Sequence, residues 1–116
     1  MCDNHKHAKI ETWVTPENSQ HLSSKMVQLY PGERIPPHST GPGREEVLTV
    51  IYGSIEVSRQ HPNDKAVAET WTKVSSGEAI FIAENTLHEV VNTSTDTPAQ
   101  YCYVVTKKHP EHVYRN

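Results

Sequence analysis

Cysteine is scarce in this 116-residue chain, which has only Cys2 and Cys102. Two thiols cannot build a disulfide framework, so a reduced, cytoplasmic setting is the expectation. Long apolar runs are missing too, with nothing near the roughly 18 residues of a spanning helix. The opening stretch MCDNHKHAKI lacks the apolar segment of an export signal, so neither secretion nor membrane insertion is expected. Charge of one sign is also absent. Eleven Lys and Arg against 14 Asp and Glu leave a formal net charge of −3, without the basic footprint that nucleic acid or an anionic membrane would need. Helix signals are the last absence. Residues 16–24 have a start at Asn18 and Ser19 but only Leu22 as an apolar anchor, which predicts a single helical turn at most.

Apolar residues make up a low 34%, yet the β-branched and aromatic ones are clustered, which argues against disorder. The length suits one domain over residues 1–116, with loose arms expected at 1–8 and 107–116. Two-residue alternation dominates the remainder. It predicts strands over residues 9–14, 25–30, 47–51, 55–57, 67–74, 79–82, 87–92 and 99–106. Gly53 sits between two of them and reads as a hairpin residue at positive φ. Residues 61–64 read as a surface loop. Short strands separated by Gly, Pro and Asx turns indicate an all-β sandwich or barrel.

Chemistry concentrates in a spaced set: Gly32, His38, Glu46, Gly53, Gly77, His88 and Asn92. Two histidines and a carboxylate, each on or beside an apolar β segment, are donors that a divalent first-row metal accepts. Each also has a plainer reading. His38 follows Pro36-Pro37 and would suit a surface loop. Glu46 would cap its strand at a barrel rim, although alternation gives it the face of Leu48 and Val50. His88, sharing a face with Val90 and Asn92, would be a satisfied core histidine. On the last strand, either Tyr101 and Tyr103 or Cys102 faces inward. Gln28, Tyr30 and Arg34 are spaced to approach the same cavity mouth as His38. Cys2, His5 and His7 lie near one terminus, and His109 and His112 read as solvated in the other.

Together the intervals resemble the two motifs of the cupin superfamily. The first runs Gly, five residues, His-x-His, three or four residues, Glu, six residues, Gly. The second runs Gly, five residues, Pro-x-Gly, two residues, His, three residues, Asn. Three departures stand out: Thr40 at the second histidine, a longer stretch between His38 and Glu46, and Ala83-Glu84-Asn85 for Pro-x-Gly. The resemblance implies an all-β, cupin-type jelly-roll barrel with a divalent transition metal (Fe, Mn, Ni, Zn or Cu) on His38, Glu46 and His88. Open positions would take a small oxygen-rich or carboxylate substrate, with Thr40 at the pocket, for dioxygenase or for isomerase and lyase chemistry. The alternatives are a metal-free sugar-nucleotide isomerase or epimerase, with His88 as base and a tyrosine as acid, and a non-catalytic binding or sensory module. The expected partners are a small-molecule ligand and a second copy of the chain, a homodimer through residues 9–14, with no nucleic acid or membrane.

Overall fold

The computed structural model describes residues 9–14, 21–60 and 70–106. Nine strands are found among them: β1 (Lys9–Val14), β2 (Leu22–Leu29), β3 (Arg34–Ser39), β4 (Glu46–Tyr52), β5 (Ser54–Gln60), β6 (Thr70–Ser75), β7 (Ala79–Ile82), β8 (Leu87–Val91) and β9 (Ala99–Thr106). No helix occurs among the described residues, and none there is long and apolar enough to cross a membrane. Every strand pairing is antiparallel. One sheet has the order β1-β2-β9-β4-β7 and the other β3-β8-β5-β6, which makes an all-β jelly roll.

Alternation decides which side chains meet between the sheets. On β4, Glu46, Leu48 and Val50 are buried whereas Val47 and Ile51 are exposed. Val27 and Leu29 of β2, Ile55 and Val57 of β5, and Val90 of β8 complete the centre of the core. Burying each such side chain contributes about 1.5–3 kcal/mol, so this two-sided apolar layer sets the register of the strands that carry the polar residues.

The β4–β5 hairpin turns at Gly53, whose φ is +75°. A Cβ there would meet Pro98 O at 2.6 Å and Ala99 Cα at 3.1 Å, so glycine is required by space as well as by backbone conformation.

The sequence expectation of a helical turn over 16–24 is corrected at its described end. Leu22 to Ser24 are extended and pair with Thr106, Val105 and Val104 of β9. Pairing with a formed strand outweighs a weak local helix signal. The stretch 34–39, which carries two prolines, is a strand that alternation did not predict. The expected loop at 61–64, the start of the strand at 67, the terminal arms, and Cys2, His5, His7, His109 and His112 lie outside the described residues.

Candidate metal centre

Register brings the two histidines together. His38 on β3 pairs directly with His88 on β8, and their ring centroids are 4.1 Å apart with planes at 55°. β3 tolerates Pro36 and Pro37 because it is an edge strand, and its ladder slips between Ile35 and His38, where proline N–H groups are missing. Each imidazole bonds a carbonyl two residues before it: His38 Nδ1 lies 2.9 Å from Pro36 O, and His88 Nδ1 lies 3.0 Å from Thr86 O. A carbonyl only accepts, so Nδ1 carries a proton in both rings, and in the neutral form of each ring Nε2 keeps a lone pair. That is how a metal-binding histidine is held in its tautomer.

His88 is 1% exposed, and its Nε2 is buried without a hydrogen-bond partner. Glu46 reaches toward it from the opposite sheet, with Oε1 at 3.6 Å, beyond hydrogen-bond length. Leaving a buried polar atom unmatched costs about 1–3 kcal/mol. Burial lowers the pKa of His88, but the Glu46 carboxylate and the Thr86 carbonyl outweigh it and leave it raised above 6.5. A cavity of about 50 Å³ adjoins these groups, lined also by His38, Ile35, Tyr101 and Tyr103. Burial foremost, and then the Glu46 charge, raise the pKa of both tyrosines, so they stay neutral phenols. Among the described residues, no three His, Cys, Asp or Glu side chains stand close enough together to hold a metal ion as they are placed. His38 is the exposed member. The donor chemistry and the unmatched Nε2 nevertheless fit a metal ion.

The sequence profile of the Cupin domain family matches residues 25–106. This chain belongs to the cupin family. No curated protein matches it. Among solved structures it is similar to recombinant oxalate oxidase in complex with glycolate, with 21% identity and a TM-score of 0.76 over 90% of this chain and 53% of the other. It thus spans about half the length of that protein. KdgF from Halomonas sp. gives 17% identity and a TM-score of 0.66, covering 88% of this chain and 82% of the other. The Cnp3 cupin domain of Schizosaccharomyces pombe gives 13% and 0.72, covering 93% and 70%. At these identities the likeness is one of fold.

In this cupin the motif residues divide their work. Asn92, fully buried, donates from Nδ2 to Leu29 O (3.1 Å) and Thr97 O (2.9 Å) and accepts from Ser94 N, which ties the end of β8 to the neighbouring loops. Asn85 takes φ +54° where the family motif has glycine, and asparagine is among the side chains that tolerate this region. Thr40 does not line the cavity. Its Oγ1 donates to Ala83 O at 2.7 Å and accepts from Thr86 N at 3.1 Å, clasping the end of β3 to the β7–β8 turn.

Three further expected pocket residues sit elsewhere. Val27 and Leu29 fill the inner positions of β2, so Gln28 faces outward. Arg34 donates to Glu89 Oε2 at 2.6 Å on the outside of the smaller sheet. Tyr30 belongs to the β2–β3 turn, where its N–H donates to Glu33 Oε1 at 2.7 Å. The same parity rule that corrects Gln28 selects Tyr101 and Tyr103, not Cys102, for the cavity. Spacing alone could not place the apolar lining of Val27, Ile35 and Val90, because each looks like ordinary core.

Proposed function

We propose that this cupin binds a divalent transition metal (Fe, Mn, Ni, Zn or Cu) through His38, Glu46 and His88, leaving positions open for a small oxygen-rich or carboxylate ligand. One observation carries the reading: Nε2 of the buried His88 has no hydrogen-bond partner and faces Glu46 Oε1 at 3.6 Å. Nitrogen and carboxylate donors suit these metals, and the cupin motifs support the choice of residues. When bound, such an ion polarises a coordinated oxygen and lowers its pKa, or supports redox chemistry at the ligand. The protein groups supply placement. Pro36 O and Thr86 O accept from Nδ1 of the two imidazoles, which leaves Nε2 of each neutral ring as the donor atom for a metal, and Glu46 would balance the positive charge. Tyr101 and Tyr103, kept neutral, offer hydroxyls rather than a competing negative charge. At about 50 Å³ the cavity is far below the ~300 Å³ of a pocket for a drug-sized ligand, which favours a ligand of a few atoms. Activity of the dioxygenase or of the isomerase and lyase kind falls within this reading. Its two cysteines support a cytoplasmic setting.

Metal stoichiometry by elemental analysis is the test. Purified protein should carry the ion. His38→Ala and His88→Ala should lose most of it, and His61→Ala should retain it. Equal metal in all three variants would sink the assignment. Melting temperatures measured alongside separate a lost ligand from a lost fold.

A further inference from the structure

The cavity beside the two histidines is polar at one end and aliphatic at the other, and register explains the division. His38 and His88 form one cross-strand pair of the smaller sheet, and Ile35 and Val90 form the next inward-facing pair. On the facing sheet Tyr103 pairs with Leu48, two residues from Glu46, whereas Tyr101 pairs with Val27 and Val50 further along. Val27, Ile35 and Val90 line the cavity together with the donor residues and the two tyrosines.

The space also has a direction. His38 is exposed, whereas Val27 and Val90 are 1% and 2% exposed, so it opens at the donors and closes on aliphatic carbon. A strand rises about 3.3 Å per residue, which puts Val90 about 6.6 Å beyond His88 along β8. The aliphatic floor is therefore within reach of a short chain and stops a long one.

We infer that Val27, Ile35 and Val90 select the ligand of this site: a short-chain monocarboxylate, its carboxylate toward His38, Glu46 and His88 and its carbon chain on the aliphatic floor. The inference rests on the proposed metal site for the carboxylate end. It narrows the oxygen-rich or carboxylate class to acids with an apolar tail. Each methylene moved from water onto such a floor contributes about 0.8 kcal/mol, or about fourfold in affinity. A hydroxyl or a second carboxylate there would lose water for contacts with carbon, and a cavity of about 50 Å³ leaves little room for solvent to follow it. A packing void in an ordinary core is the alternative. It would make small acids bind alike at the metal, or not at all.

Acetate, butyrate, 3-hydroxypropionate and hexanoate, titrated calorimetrically into zinc-loaded protein, separate the two cases. Butyrate should bind about fifteenfold more tightly than acetate, fourfold for each added methylene. 3-Hydroxypropionate puts a hydroxyl where butyrate has its methyl group and should bind at least about fivefold more weakly than butyrate. Hexanoate, too long for the floor, should fall at least about tenfold below butyrate. Ile35→Ala should remove most of that hexanoate penalty, and the milder Ile35→Val should reduce it, with melting temperatures showing that both variants fold. Acetate or 3-hydroxypropionate binding as tightly as butyrate would overturn the inference. So would a hexanoate penalty untouched in both folded variants, or no binding of any of these acids. Metal-free protein is titrated in parallel. Preference for butyrate over 3-hydroxypropionate in a protein that takes up no metal would keep the aliphatic floor and remove the metal reading. Zinc held through His38 and His88 with no dependence on chain length would do the reverse.

Discussion

Thr40 holds two hydrogen bonds that a histidine could not reproduce. Its hydroxyl donates to Ala83 O and accepts from Thr86 N in a place only 6% exposed. Installing the second histidine of the motif by Thr40→His should therefore destabilise the protein by about 1–3 kcal/mol, the cost of leaving buried groups unmatched. It should not tighten metal binding. Denaturant melts of metal-free protein, read beside a metal titration, check both halves; a tenfold gain in metal affinity would return residue 40 to the site. Titration of His88 gives a second residue-scale test. Its pKa is raised in the fold, so the stabilisation from protonated His88 beside Glu46 is fully present below about pH 6.5 and is lost as pH rises through the raised value. In metal-free protein, the excess melting temperature of wild type over Glu46→Gln should thus be larger at pH 6 than at pH 9. A gap that widens toward pH 9 would refute the pairing.

Gly53 shows why the β4–β5 hairpin was legible before its geometry was known. A Tyr-Gly-Ser break between apolar runs allows few backbone solutions, and the observed φ of +75° is one of them. Gly53→Ala should cost more than about 1 kcal/mol beyond the same change at Gly77, because both share the backbone strain but only Gly53 has Pro98 O at 2.6 Å from the new Cβ. Equal costs in thermal melts would mean that the loop at Pro98 yields freely. The strands carrying Glu46 and His88 were legible for a similar reason, since one buried face enforces alternation. β3 was not, because Pro36 and Pro37 erase a central-strand pattern and their position on a sheet edge depends on long-range order. The pocket was half legible. The spacing of His38, Glu46 and His88 survives in the sequence, whereas the placements of Gln28, Tyr30 and Arg34 depend on turns and on a partner, Glu89, 55 residues away from Arg34.

Among the described residues the two sheets end in four edges, and they are not equally protected. β3 is blunted by its prolines and its ladder slip, and β7 is only four residues long. β1, at the end of the larger sheet, spans six residues and displays Ile10 at 51% exposure. An unpaired edge of this kind recruits another strand, and a second copy of β1 in antiparallel register would continue the sheet across a two-fold axis. This is the homodimer we propose for the chain. Sedimentation velocity should give twice the chain mass for the wild type. Ile10→Lys should give the single-chain mass, because an edge lysine opposes its own symmetry mate while its charge stays solvated in the monomer. Dimers untouched by Ile10→Lys would shift attention to the outer face of the same sheet. There Val104, Val47 and Phe81 stand in register at 39%, 43% and 50% exposure, and Val47→Lys should then separate the copies. A wild-type protein that sediments as one chain at every concentration would exclude both surfaces and leave the barrel a self-sufficient unit.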